Sequence, residues 1–169
     1  MKKMIGLSLL LSMLIGMPIY AGEFCPYNVQ AVMLTKVISF TRELGGATKG
    51  EVKMGVFGSS EIKAQLEQAA GKTTDKITVS TVSLDNISSV NVVYVPKGTP
   101  AELIKKIKEA AVANKVLTVG GDPQYVLDFA LTLTFHLVDG KPRILISLES
   151  ADEEGAKFAA ELLKIAERK

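Results

Sequence analysis

Hydrophobic and polar positions follow two periods along this chain, and the points where one gives way to the other mark its elements. From Val29 to Leu44 the apolar residues Val29, Val32, Met33, Val37, Phe40 and Leu44 recur at helical spacing until Gly45-Gly46, which predicts a first amphipathic helix. Lys53 to Gly58 holds the short apolar run Met54-Gly55-Val56-Phe57; after Gly58-Ser59-Ser60 a helical stretch reaches Ala70 and stops at Gly71. Lys76 to Ser83 alternates, with Ile77, Val79 and Thr81 opposed to Thr78, Ser80 and Val82, as expected of a half-exposed strand at a sheet edge. Val90 to Val95 is instead almost continuous in β-branched and aromatic residues, the composition of a central strand covered on both faces.

Thr99-Pro100-Ala101-Glu102 sets a capping Thr, a Pro at the first helical position and a Glu three residues after the cap, so a helix is predicted from there to about Ala113, with Asn114 as its stop. Lys115 to Val119 reads as the next strand, Gly120-Gly121 as a turn and Asp122-Pro123 as the start of a short helix. Three strand-to-helix passages in succession call for parallel βαβ crossovers. The rhythm then breaks. Leu131, Leu133, Phe135 and Leu137 alternate with Thr132, Thr134, His136 and Val138, and Asp139-Gly140 leads into a second strand over Arg143–Leu148. Asp-Gly between strand patterns signals a hairpin, so the sheet should finish on an antiparallel edge. Ser150 with Glu153 predicts a capping box, and Ala156, Ala159, Leu162, Leu163 and Ala166 the buried stripe of one last helix. The fold class expected is α/β, a three-layer α/β/α arrangement with a mostly parallel sheet and an antiparallel edge hairpin near the C-terminus.

The N-terminus changes where this domain is expected to work. Lys2 and Lys3 precede an almost wholly apolar run from Met4 to Tyr20 that ends at Ala21-Gly22, the plan of a secretory signal peptide. Its length approaches that of a spanning helix, but Gly16 and Pro18 interrupt it just before Ile19-Tyr20-Ala21, which favours cleavage. Residues 1–21 are therefore expected to be removed, leaving 22–169 as a single α/β domain in the periplasm without membrane insertion. Cys25 follows Glu23 and Phe24 rather than small residues, so it is not a lipid-attachment cysteine. It is also the single cysteine of the chain, which leaves no internal disulfide to form.

Without the two leader lysines the 20 basic residues fall to 18, against 18 acidic ones. A neutral chain lacks the basic excess of a nucleic-acid binder. His136 is the only histidine, and the alternation sets it on the Thr132/Thr134 face as a solvated strand residue, with no nucleophile or orienting acid in a helpful spacing. No catalytic set, transition-metal site or cofactor is expected, and the chain is read as a non-enzyme. A ligand would instead be sought at the strand ends. Gly58-Ser59-Ser60, Lys97-Gly98 and Gly120-Gly121-Asp122 each follow a strand, and in an open parallel sheet such loops share the carboxyl edge where ligands bind. Hydroxyls and backbone amides after a glycine suit an anion, although neither GxGxxG nor a P-loop pattern is present.

Taken in order, Tyr27-Asn28-Val29-Gln30-Ala31-Val32-Met33-Leu34, Gly55-Val56-Phe57-Gly58, Val93-Tyr94-Val95, Val116-Leu117-Thr118-Val119-Gly120 and Glu161-Leu162-Leu163-Lys164-Ile165-Ala166 resemble the YfiR family of periplasmic regulatory proteins. The resemblance implies a regulator that represses an inner-membrane diguanylate cyclase, or a sensor kinase, through that enzyme's periplasmic domain. The paired cysteines of the redox-responsive relative have no counterpart here, so the resemblance implies no thiol-disulfide control. The alternative from the residues alone is a small periplasmic solute-binding module holding an anion or metabolite at the strand-end loops. The first helix or a sheet edge would serve a homodimer.

Overall fold

The computed structural model describes residues 22–45, 51–58 and 60–169; the expected signal peptide, Gly46 and Ser59 lie outside the described residues. Strands β1 (Glu23–Phe24), β2 (Thr41–Glu43), β3 (Glu51–Phe57), β4 (Lys76–Val82) and β5 (Val92–Val95) alternate with helices α1 (Tyr27–Ser39) and α2 (Ser60–Ala70) and a 3₁₀ turn at Leu84–Ser89. Helix α3 (Ala101–Asn114), β6 (Leu117–Gly120), α4 (Pro123–Phe129), β7 (Leu133–Val138) and β8 (Lys141–Ile146) follow. The chain closes with α5 (Leu148–Glu153), β9 (Lys157–Phe158), α6 (Ala160–Ile165) and β10 (Glu167–Arg168).

The main sheet runs in the order β10-β8-β7-β6-β5-β3-β4, with β1 added to β7. From β4 through β3, β5 and β6 to β7 every pairing is parallel, and β7 and β8 form the antiparallel hairpin. The hairpin turn needs left-handed backbone at both central residues, and Asp139 (φ 52°) with Gly140 (φ 71°) supplies it. Strand alternation splits the core in two. Val92 and Tyr94 of β5 join Leu34 and Val37 of α1 and Ile62 and Leu66 of α2 on one face. Val93 and Val95 join Ile104 and Ile107 of α3 and Val126 of α4 on the other. Helices therefore cover both faces of a largely parallel sheet, the three-layer arrangement expected. As expected, β4 lies at an edge, whereas β5 is interior and buried at every position. Among the described residues no helix is long and apolar enough to cross a membrane.

Six expectations need correction. The first helix stops at Ser39, not Leu44. Thr41–Glu43 leave it to pair antiparallel with Lys157–Phe158, and the Phe40 carbonyl accepts the Ala159 N–H at 2.8 Å. The last helix is not continuous. Gly155 at φ 70° turns the chain out of α5, and the apolar stripe is divided between β9 and α6, so tertiary pairing overrides helical periodicity. Its cap is Ser147, whose hydroxyl accepts the Ser150 N–H, and Thr99 does not cap α3 because its hydroxyl donates to Pro96 O at 2.7 Å. Finally, β8 is not the sheet's last strand: β10 pairs with it in parallel. That strand and β1 flank the hairpin and bury His136 to 1 % exposure, where a solvated residue was expected. Its Nε2 lies 3.2 Å from a Glu167 carboxylate oxygen.

A buried carboxylate ties the lower half of the sheet together. Glu154, fully buried just after α5, accepts from Lys108 Nζ (2.9 Å), Thr118 Oγ1 (2.8 Å), Thr118 N (2.8 Å) and Thr132 Oγ1 (2.6 Å). One side chain thus links α3, β6 and the start of β7.

Candidate functional site

The carboxyl edge of the parallel strands is roofed by the N-terminal segment. Strand β7 pairs with β6 only through Leu133 and Thr134, and further along the same strand His136 and Leu137 pair with Phe24 and Glu23 of β1. Strand β1 therefore takes over beside β7 where β6 ends, and the chain passes from it into α1 through Cys25 and Pro26. Pro26 stands at the helix N-cap with φ −56° and ψ 143°, a conformation that proline favours. Gln30 locks this crossing: its Nε2 donates to Cys25 O (2.6 Å), and its Oε1 accepts from the Tyr94 hydroxyl of β5 (2.7 Å).

The two turns beneath are held just as firmly. Tyr125 of α4 accepts the Thr99 N–H at 3.0 Å and donates to Pro96 O at 3.2 Å, which fixes the Pro96–Thr99 loop. Gly121 lets that loop approach: a Cβ there would lie 2.7 Å from Lys97 N and 2.8 Å from Tyr94 Oη. Asp122 caps α4 by accepting the Gln124 N–H at 3.0 Å, and its other oxygen is 3.3 Å from Lys97 Nζ. The Lys97 ammonium also sits 5.0 Å from the centre of the Phe24 ring, within cation–π range. Phe24 in turn meets Tyr27 edge-to-face at 5.2 Å.

Between this roof and α2 lies an open cleft of about 650 Å³ lined by Phe24, Pro26, Tyr27, Asn28, Glu61, Gln65 and Lys97. It offers two aromatic rings, amide groups, one ammonium and one carboxylate. Burial, and then the charge of Glu61, push the Tyr27 phenol above its ordinary range, so it is a hydrogen-bond donor at neutral pH. Such a cleft has the chemistry to hold a small polar molecule or a partner side chain by its charged ends. Among the described residues no three His, Cys, Asp or Glu side chains are grouped to hold a metal ion.

The three loops singled out from sequence converge on this edge unequally. Lys97 lines the cleft itself. Gly98 (φ 88°) and Gly58 (φ 69°) shape their turns, Ser60 opens α2, and Ser59 lies outside the described residues. Gly120 and Gly121 permit close packing on Tyr125 and on the Lys97 loop, and Asp122 serves as cap and ion-pair partner. Phe24, Pro26, Tyr27, Asn28, Glu61 and Gln65 escaped the sequence reading. Glu61 and Gln65 are one helical turn apart, a spacing that sets both on one face of α2; nothing in the local pattern brings Phe24 over Lys97.

A conserved domain protein from Vibrio cholerae shares the fold, with a TM-score of 0.58 and 16 % identity over 87 % of this chain and 61 % of its own. The ABC domain from Streptococcus pneumoniae, solved in complex with L-Trp, has a TM-score of 0.54 and 14 % identity, over 85 % of this chain and 61 % of its own. The chain thus spans about three fifths of the length of these solved proteins. No curated protein matches it. The model of the YfiR/HmsC-like family matches residues 27–167, from the first residue of α1 into β10. By that match, which takes in nearly every described element, the chain belongs to the YfiR/HmsC-like family.

Proposed function

We propose that this protein is a non-enzymatic periplasmic regulator of cyclic-di-GMP signalling, acting by contact with the periplasmic sensor domain of an inner-membrane enzyme of the diguanylate cyclase type. Family membership over residues 27–167 is the observation that carries this reading. The leader-like residues 1–21 support export, and the neutral balance of residues 22–169 argues against nucleic acid as the partner. Affinity capture of the tagged protein from detergent-solubilised inner membranes tests it. Retention of a diguanylate cyclase with a periplasmic domain is the expected result; a sensor kinase in its place would move the target but keep the mode of action. A capture that retains neither would remove the proposal's support.

A second reading rests on the cleft. Opposite charges at Lys97 and Glu61, with Phe24 and Tyr27 beside them, suit a small anion or metabolite, and the strand-end residues Gly58, Ser60, Gly98, Gly120, Gly121 and Asp122 would frame it. A bound solute raises apparent stability by mass action, so a thermal-shift screen that stays flat at high solute concentrations counts against this role. The two readings combine if a solute in the cleft tunes contact with the partner.

A further inference from the structure

His136 is a buried polar residue that its surroundings do not satisfy. Only 1 % of it is exposed, and neither ring nitrogen has a hydrogen-bond partner among the described residues. Nε2 lies 3.2 Å from a Glu167 carboxylate oxygen, near enough for an ion pair but out of line for a hydrogen bond. Buried side-chain nitrogens are nearly always bonded, so an unpaired Nδ1 asks for an explanation. What packs on that side of the ring is Gly22. A Cβ there would stand 3.0 Å from His136 Cβ and Cγ and 3.1 Å from Nδ1, so a side chain at position 22 would press on the imidazole. In the sequence Gly22 directly follows Ala21, where the leader pattern ends.

We propose that leader removal supplies the partner: cleavage between Ala21 and Gly22 makes Gly22 the first residue, and its new α-ammonium anchors on His136. The inference rests on the proposed export of the chain. In the cleavage, catalysed by a leader peptidase, the Ala21–Gly22 amide bond breaks. Water gives its oxygen to the Ala21 carbonyl carbon and both its hydrogens to the Gly22 nitrogen, so a carboxylate leaves and an ammonium remains. Without the amide, that nitrogen is free to turn. Rotation about the Gly22 Cα–C bond exchanges the tetrahedral positions on Cα, and one of these is the Cβ position 3.1 Å from Nδ1. An ammonium there donates to the Nδ1 lone pair, which puts the imidazole proton on Nε2, toward Glu167. Ammonium, neutral imidazole and carboxylate then form a chain with the buried ring between opposite charges. The other elements around the ring leave this balance intact. Arg143 of β8 is opposite His136 in register but exposed, and strand alternation turns Glu23 of β1 to the other face. Strand β6 has no titratable residue, and α4, packed on β7, brings Asp128 and the Tyr125 phenol already bound to the Pro96–Thr99 loop. Among the described residues Glu167 is the one carboxylate in ion-pair contact with the ring. Because Phe24 pairs with His136, the anchor holds the strand that roofs the cleft, and the roof is completed only in the processed chain.

Expression of the full-length chain with isotope-labelled glycine and histidine tests this in two steps. The intact mass of the exported protein should match residues 22–169. A first residue other than Gly22 overturns the anchor and leaves export standing, whereas a chain that keeps its leader overturns both. In the protein that begins at Gly22, the Gly22 Cα resonance follows the ammonium through its titration. The midpoint should stand at least about one unit above the ~8 of an ordinary α-amino group, because the bond to Nδ1 and the Glu167 charge both favour the ammonium. Docking of β1 is then fully supported below the ordinary value and weakens as pH rises through the raised midpoint. The nitrogen spectrum of the chain's single histidine should show the neutral ring protonated on Nε2. Glu167→Gln should bring the midpoint back toward the ordinary value. An ordinary midpoint or a proton on Nδ1 overturns the proposal in the unmodified protein, without reliance on any variant, and a midpoint that Glu167→Gln leaves in place overturns the chain of charges.

Discussion

The Tyr94 hydroxyl donates to Gln30 Oε1 at 2.7 Å, and the Gln30 amide passes the connection on to the Cys25 carbonyl at 2.6 Å. Tyr94, Gln30 and Cys25 are all fully buried, so a central strand, the first helix and the roof of the cleft are joined where water cannot replace a lost bond. Burial pushes the Tyr94 phenol far up, which keeps it a donor. Tyr94→Phe leaves Gln30 Oε1 unsatisfied and should cost about 1–3 kcal/mol. Urea denaturation measures this, and an unchanged midpoint would show that the pair does not hold the roof.

Glu154 gives the protein a pH signature. Burial pushes its carboxyl above the ordinary value of 4.5, outweighing the Lys108 charge and the Thr132 and Thr118 donors that pull it down. A carboxyl raised in the folded state binds more protons there than in the unfolded chain. This contribution to stability is therefore largest below the unfolded value and declines as pH rises through the window up to the folded one. Urea midpoints measured upward from pH 4.5 should show that declining component in the unmodified protein and lack it in Glu154→Gln. Glu154→Ala, which strands Lys108, Thr118 and Thr132, should cost about 3–5 kcal/mol.

Gly121 sits where no side chain fits. Gly121→Ala forces its new methyl against Lys97 N and Tyr94 Oη at 2.7 and 2.8 Å, and overpacking of this kind costs about 1–3 kcal/mol. Gly140→Ala meets no atom within 4 Å but holds φ 71°, so its penalty comes from backbone strain alone. Thermal unfolding of both variants, with chemical shifts of the Pro96–Thr99 amides, separates the two: only Gly121→Ala should move the loop.

Asp122 and Lys97 divide stability from recognition. Asp122→Ala removes the cap of α4 and should cost about 1 kcal/mol, while Asp122→Asn preserves the cap. The Lys97 side chain is 49 % exposed in its pair with Asp122, and a pair so open to solvent contributes little. Lys97→Met should then leave the unfolding midpoint nearly unchanged while abolishing any thermal shift produced by an anionic solute. A shift retained in Lys97→Met would show that the cleft does not bind through this ammonium.

The parts of the fold legible in the sequence are those with a local cause. Asp139-Gly140 fixes its turn by backbone preference, Val92–Val95 declares two covered faces by composition, and Asp122-Pro123 opens a helix by capping chemistry. The short strands have no such cause. Thr41–Glu43 are extended because Lys157–Phe158 lie beside them, and Glu167–Arg168 because β8 has a free side; in each case the partner is more than 20 residues away in sequence. His136 is buried for the same reason, by segments from both ends of the chain. Sequence placed Lys97 at the cleft through its strand-end position, but the cleft's other walls depend on where β1 docks, a long-range register that no local pattern encodes.

The proposed regulation of cyclic-di-GMP signalling by an exported, non-enzymatic protein is read in the cellular cyclic-di-GMP level with the gene deleted and then restored. Deletion should raise the level if the protein represses a diguanylate cyclase, and restoring the full-length chain should return it to the starting value. A level that stays unchanged on deletion would rule out this regulatory role.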